Sequence, residues 1–278
     1  IIVLDQDQIK LLNLGHMLVC IVIFLVVMQE KLIRQSQKNI MLSFNIMIEY
    51  KQGDIHEVIK TIEDNSIDFI YTDPPFATTK AKWDSSLRWD ELFPEMWRVL
   101  KPTGIIALHS AIPFSYELLK YEKPKYNYNW LKNNSTGFLT AKYQPLRIME
   151  DVFIYYKKKG TYNPQMVGDE YHPKRNVKYG GQNAYWGEAG VNKDNVILKQ
   201  EGHKGRHPTT LLEYPIRKGK GNGITRCDDM IDYFIKTYSN EEDTILDMTA
   251  HNTIVGKRCE LLNRNYIGVD IEPISYEA

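Results

Sequence analysis

The chain predicts an α/β fold with a doubly wound, mostly parallel sheet. Short apolar runs of four to six residues, Asp68–Thr72, Ile105–His109, Asp151–Tyr156, Thr244–Asp247 and Tyr266–Asp270, have strand length and end at polar or turn residues. Between them lie stretches with apolar residues every three or four positions, the helical period. The connections between the two kinds of segment are short, and such alternation is what a parallel sheet covered by helices requires.

Taken in order, Phe44–Lys51 alternates weakly and ends at Gly53-Asp54, a strand followed by a turn. Ile55–Ile62 has Ile55, Val58, Ile59 and Ile62 on one side of a helix. The strand Asp68–Thr72 runs into Asp73-Pro74-Pro75-Phe76. Two consecutive prolines cannot continue an interior strand, so this turn projects from the strand's carboxyl end. Trp89–Leu100 is a helix with Leu92, Phe93, Met96, Val99 and Leu100 inward, and Lys101-Pro102-Thr103-Gly104 is expected to stop it before the strand Ile105–His109. After Asp151–Tyr156, the stretch Thr161–Gly223 is rich in Gly, Asn, Lys and Pro and carries no long period. Order resumes with the helix Asp228–Ser239, its Met230, Ile231, Phe234 and Ile235 inward, then Thr244–Asp247, the helix Val255–Leu262 and Tyr266–Asp270. No internal repeat is present. Ligands of such sheets bind outside the carboxyl ends of the strands.

A chain of 278 residues with 43% hydrophobic residues can bury one large domain, or a catalytic domain with a smaller one. The three cysteines, Cys20, Cys227 and Cys259, share no metal-ligand spacing and imply a reduced compartment without a disulfide framework. No metal site is expected, and His251 has no partner cluster in the sequence. Lys+Arg and Asp+Glu both total 35, but their distribution is uneven. From Lys120 to Lys220 there are 19 Lys/Arg and 9 Asp/Glu, a balance of +10, so the remainder carries −10. A polar, basic middle between acidic flanks suits a phosphate-binding segment better than a merely solvated loop.

The first forty residues read differently. Met17–Met28 is an unbroken apolar run, short for a bilayer span of ~20 residues. It lacks the basic leader and small-residue cleavage site of a signal peptide. Globular periodicity begins near Met41 or Met47, and the preferred reading starts the native protein at one of those methionines. Residues 1–40 are then an upstream extension, with a membrane anchor as the alternative.

Asp73-Pro74-Pro75-Phe76 after an apolar strand resembles the catalytic tetrapeptide of DNA methyltransferases that act on exocyclic amino groups. The surroundings extend the resemblance over about residues 47–278. Gly53-Asp54, Asn65–Thr72 and Trp97–Gly104 follow that family's pattern, as do Thr136–Leu139, Lys142, Gln144–Arg147 and Glu150-Asp151, and then Tyr233–Asp270. With the tetrapeptide first and the cofactor strand last, the permuted order resembles the β group of these enzymes. The resemblance implies a Rossmann-like sheet, S-adenosylmethionine as cofactor, double-stranded DNA as partner, and a target-recognition insert at about 110–223 within a catalytic domain of residues 41–278.

The chemistry agrees with the resemblance. An aromatic amine is a poor nucleophile because its lone pair is delocalised into the ring. Asp73 and the Pro74 carbonyl would accept its two hydrogens and aim the lone pair at the methyl group. Pro75 and Pro74 hold that turn rigid, and Phe76 would stack on a base flipped from the duplex. Asp rather than Ser or Thr at position 73 resembles the adenine-N6 members more than the cytosine-N4 ones. Cytosine N4, an RNA base, or an inactive DNA-binding remnant remain the alternatives. The cofactor residues implied are Asp247, Thr249, Asn252, Thr253 and Asp270, with Asp270 facing ribose hydroxyls.

Two departures from the family pattern stand out. Asp247-Met248-Thr249-Ala250-His251-Asn252-Thr253 has no glycine where relatives have a glycine-rich turn; Asn252 is expected to supply the left-handed residue and Thr253 to begin the helix. Ile224–Asp228 replaces a His-Pro-Thr-Gln-Lys-Pro stretch found in many relatives. The candidates for DNA contacts are Lys142, Gln144, Arg147, Lys174, Arg175, Lys204 and Arg206. Such a protein is expected in the cytoplasm, or wherever its target DNA resides.

Overall fold

A computed structural model describes residues 46–179, 196–200, 202–218 and 224–274. Its compact unit begins at Ile48. The N-terminal extension, residues 1–40, and its apolar run lie outside the described residues. Among the described residues, no helix is long and apolar enough to cross a membrane.

In chain order, β1 (Ile48–Gln52) leads through α1 (Ile55–Val58) and a 3-10 turn at Ile59–Thr61 to β2 (Ile67–Thr72). Helix α2 (Trp89–Val99) precedes β3 (Leu100–Ser110), and α3 (Phe114–Tyr121) precedes β4 (Tyr126–Thr136), which turns back as β5 (Arg147–Tyr155). Short strands follow: β6 (Val167–His172), β7 (Arg175–Tyr179), β8 (Val196–Gln200), β9 (His203–Arg206), β10 (Leu211–Glu213), β11 (Ile216–Lys218) and β12 (Ile224–Arg226). Helix α4 (Asp228–Tyr238), β13 (Thr244–Asp247), α5 (Ile254–Leu261) and β14 (Asn265–Asp270) complete the order.

The main sheet has eight strands in the order β1-β14-β13-β2-β3-β5-β4-β10. Every neighbouring pair is parallel except the two made by β5. Alternate residues of each strand face opposite layers, as the period of two demands. Ile70, Ile106, Leu108, Phe153 and Leu246 pack against Trp89, Leu92, Phe93 and Met96 of α2 and against α3. Phe69, Tyr71, Ala107, Ile154 and Ile245 pack on the other face against Met230, Ile231, Phe234 and Ile235 of α4 and Cys259 of α5. Each fully buried side chain of this kind contributes about 1.5–3 kcal/mol. The doubly wound, mostly parallel sheet expected from the alternation is therefore the observed architecture.

One expectation is corrected. Lys101-Pro102-Thr103-Gly104 is not a connecting loop but the first part of β3, which begins at Leu100 directly after α2. Asp68 holds Lys101 Nζ through both carboxylate oxygens at 2.8 Å, and Ile67 pairs with Leu100 before the register shifts. Within 110–223, β4, β5 and β10 are strands of the main sheet. What lies outside the main sheet is the β6–β9 pair, the β7–β8 pair and the β11–β12 hairpin. Tyr126–Thr136 went unread as a strand because its alternation is among tyrosine, tryptophan and asparagine; Tyr128 and Trp130 face the core.

The turn after β2 is tied down by one carboxylate. Asp84 Oδ1 accepts from the Ala77 N–H at 2.7 Å, and Oδ2 accepts from Thr78 and Thr79 N–H at 2.9 and 2.6 Å. Ala77 sits at φ 52°, a left-handed residue whose amide is held by that bond. Burial alone would push the Asp84 carboxyl up, but the Thr79 side chain and the backbone donors outweigh it and hold it below the usual carboxylate range. A lowered folded-state pKa gives stability that is full above the unfolded value and lost as pH falls through the folded one. Asp84→Ala should thus cost about 1–3 kcal/mol at neutral pH. In urea denaturation its difference from the wild type should shrink once the pH falls below the ordinary carboxylate range.

Candidate active site

The strand order reverses between β13 and β2: the chain winds outward from β2 to β3 on one side and from β13 to β14 on the other. Their parallel register, Ile245 with Phe69 and Leu246 with Ile70, sets the two carboxyl ends side by side. Asp247 closes β13, and Asp73 follows β2 by one residue. The hydroxyls of Thr72 and Thr249 join the two ends at 3.0 Å. Such a crevice is where open α/β sheets bind ligands.

Asp247 is buried, and its two oxygens accept from the Thr249 N–H at 3.2 Å and the Tyr266 hydroxyl at 3.3 Å. Burial pushes its carboxyl up to about 7; the Thr249 amide works against this and the Asp73 charge adds to it. Asp270 closes β14, the strand next to β13. Its Oδ2 accepts from the His251 N–H at 2.7 Å and its Oδ1 from the Glu272 N–H at 2.9 Å. Asn252 Oδ1 accepts from the Ile254 N–H at 3.0 Å, at the start of α5, and Thr253 is the N-cap residue.

The expectation of a left-handed Asn252 is corrected. The left-handed residue of this glycine-free loop is His251, at φ 43°. Its amide is drawn to Asp270 while Asn252 caps the helix, so the turn is made with side-chain acceptors instead of glycine. Two carboxylates and several hydroxyls at neighbouring strand ends fit an ammonium and a ribose diol, the polar groups of S-adenosylmethionine.

Around Asp73 the structure adds a residue that the sequence alone did not mark. Arg226, at the end of β12, donates through Nη2 to Asp73 Oδ1 at 2.5 Å and to Glu150 Oε2 at 3.1 Å. Its guanidinium lies 4.9 Å over the Trp130 ring, and Trp130 Nε1 donates to the Tyr214 carbonyl at 2.8 Å. Glu150 is held on its other side by the buried Lys132, Nζ to Oε1 at 2.7 Å. Burial pushes the Asp73 carboxyl up to about 6, opposed by Arg226, assisted by Glu150 and opposed by His251. The altered stretch Ile224–Asp228 was the one local signal of Arg226, and its partners lie 76 and 153 positions away. Pro74 is buried, Pro75 partly so, and the Phe76 ring stacks on Phe114, centroids 5.1 Å apart.

The candidates for DNA contact fall on two elements. Lys142 and Gln144 are exposed on the β4–β5 connection and Arg147, partly buried, begins β5. By the strand directions this connection leaves the sheet at the same edge as Asp73. It also carries Phe138, Leu139 and Tyr143, exposed by 81%, 96% and 87%. Lys204 and Arg206 are exposed on β9, two residues apart and paired with β6, and Lys174 is exposed beyond the end of β6. Arg175 begins β7. Among the described residues no group of three or more His, Cys, Asp or Glu is placed to hold a metal ion.

The arrangement has known counterparts. The sequence profile of the DNA methylase family for N6 and N4 amines matches residues 67–278. The chain is 27% identical over 231 residues to the type II methyltransferase M.HpaI of Haemophilus parainfluenzae, covering 77% of this chain and 67% of that one. It is 26% identical to M.BamHI of Bacillus amyloliquefaciens over 79% of its own length and spans 53% of that relative. In fold it is similar to the cytosine-N4-specific PvuII DNA methyltransferase, at TM-score 0.51 and 14% identity over 82% of this chain and 83% of that one. TTHA0409 of Thermus thermophilus is similar at TM-score 0.50 and 16% identity, over 82% and 90%. With the profile spanning most of its length and the sheet folded as described, the chain belongs to the N6/N4 DNA methylase family, whose methyl donor is S-adenosylmethionine.

Proposed function

We propose that the protein methylates the N6 amine of adenine in double-stranded DNA, with Asp73, Pro74, Pro75 and Phe76 meeting the flipped base. The observation that carries this reading is the Asp73 carboxylate beside Asp247 at the strand-order reversal. Base and methyl donor thereby meet across one strand spacing, and a reaction between them becomes a matter of alignment. S-adenosylmethionine supplies an electrophilic methyl group when bound. Asp247 would accept from its ammonium and Asp270 from its ribose hydroxyls, with Thr249, Asn252 and Thr253 on the same loop.

Arg226 holds Oδ1 of Asp73, which leaves Oδ2 and the Pro74 carbonyl as acceptors for the two amino hydrogens. On transfer of that methyl group to the base nitrogen, Asp73 Oδ2, already the acceptor of an amino hydrogen, would take up the proton released. Phe76 offers the base the ring face turned away from Phe114. Asp at the head of the tetrapeptide favours adenine over cytosine, because cytosine-N4 members usually begin it with Ser or Thr. Asp73→Ala should reduce transfer by on the order of a hundredfold or more while binding of S-adenosylmethionine persists. Nucleoside analysis after incubation with labelled cofactor and mixed-sequence DNA should show N6-methyladenine; N4-methylcytosine alone would overturn the base assignment.

In this reading residues 41–278 are the catalytic domain, and its small pairs β6–β9 and β7–β8 supply target recognition. The exposed tip at Phe138–Tyr143, which carries Lys142 and precedes Arg147, would meet the approaching duplex. Phosphate contacts by Lys142, Gln144, Arg147, Lys174, Arg175, Lys204 and Arg206 release counterions, so affinity falls with salt. Reversing the charges of Lys204 and Arg206 together should weaken binding to all sequences alike. It should also flatten the slope of log affinity against log salt by about one per lost contact, read from fluorescence anisotropy titrations.

A further inference from the structure

Arg226 is built into the catalytic edge more firmly than a surface ion pair needs. Its side chain is packed against the Trp130 ring, which is anchored through Nε1, and its Nη2 reaches two carboxylates, one in the turn after β2 and one on β5. Its Nε is buried and has no hydrogen-bond partner among the described residues. Behind it, Lys132 and Thr136 on β4 steady Glu150: Lys132 Nζ lies 2.7 Å from Glu150 Oε1 and 3.2 Å from Thr136 Oγ1. Arg226 is thus fixed from the β4–β5 side and aimed at Asp73.

We propose that Arg226 is a positioning residue for methyl transfer: it keeps the Asp73 carboxylate ionised and turned toward the base, while Glu150, itself held by Lys132, sets how much of the Arg226 charge Asp73 receives. This rests on the reading of Asp73 as the acceptor of an amino hydrogen. The need for such a residue is chemical. An ionised carboxylate with Oδ1 held by Arg226 accepts one amino hydrogen at Oδ2, whereas a protonated carboxyl offers a donor where an acceptor is required. The surroundings of Asp73 otherwise favour the protonated form. Partial burial disfavours the charge, and Glu150 on β5 repels it. The Tyr71 hydroxyl on β2 is held neutral, its pKa raised by burial, and His251 in the loop after β13 lowers the Asp73 pKa less than Arg226 does. Arg226 is the largest force in the opposite direction.

The two carboxylates make the test directional. Removing the Arg226 charge raises the Asp73 pKa; removing the Glu150 charge lowers it. Carbon-13 carboxyl NMR titration of aspartate-labelled protein, with the Asp73 resonance identified by its loss in D73N, measures that pKa without any turnover. Relative to wild type, R226M should titrate at least one pH unit higher, R226K close to wild type, and E150Q lower. Single-turnover methylation of DNA should follow: the acid limb of the rate moves up in R226M and down in E150Q, with binding of S-adenosylmethionine unchanged. An unmoved Asp73 titration in R226M, or a rate loss equal at every pH, overturns the proposal. Should R226M fail to fold, E150Q decides, because an unchanged or raised Asp73 pKa in that variant contradicts it. Normal transfer by D73N would instead sink the reading of Asp73, whatever Arg226 does.

Discussion

The parallel pairing of β2 with β13 is the constraint on which the rest depends. It joins β2, early in the chain, to the last strands of the sheet, with Ile245 beside Phe69 and Leu246 beside Ile70. A parallel pair brings like ends together, so Thr72 and Thr249, 177 positions apart in the chain, leave the sheet at one edge. A slip of one residue would exchange the faces of Phe69, Ile70 and Tyr71 between the two helical layers. The buried packing on both sides therefore secures the register, and the register secures the distance between Asp73 and Asp247.

Two carboxylates so close to one another at a partly dry edge are costly, and the structure answers each differently. Asp247 is satisfied by a backbone amide and the Tyr266 hydroxyl, so it depends on donors that carry no charge. Asp73 is given a full positive charge in Arg226, shared with Glu150. That sharing spreads through Lys132 into β4, a strand whose Trp130 also supports the guanidinium from below. The edge strands are consequently more than a cover for the sheet. They carry the electrostatic setting of the turn at Asp73.

The cofactor loop shows a second way to make a tight turn. Where related enzymes use glycine, this chain places His251 in the left-handed region and holds its amide with Asp270. Backbone that bends around a side-chain acceptor is bonded as well as bent, which stiffens it. The same device recurs after β2, where Asp84 gathers three amides around the left-handed Ala77. Both loops that flank the crevice are held by a carboxylate supplied from a little further along the chain.

The alternation of short apolar runs with helical periods was enough to read the layered sheet, because a strand buried on both faces and a helix packed on it each leave a local periodic mark. Asp73-Pro74-Pro75-Phe76 was legible for a similar reason: two prolines end a strand whatever surrounds them. The continuous path from α2 into β3 left no such mark, since Lys101–Gly104 looks like a stop until Asp68 and its partner strand are present. Arg226 was beyond local reading altogether. A cation before a helix has no evident task until folding brings Glu150, Trp130 and Asp73 around it from three other strands. The sequence by itself determined most strands and helices of the layered sheet and the turn at Asp73, through short-range periodicity and backbone sterics, but not β4, α3 or the short strands of the middle segment. The charge state and orientation of that turn were decided only by the tertiary structure, because electrostatic partners are chosen by proximity in space and not by spacing along the chain.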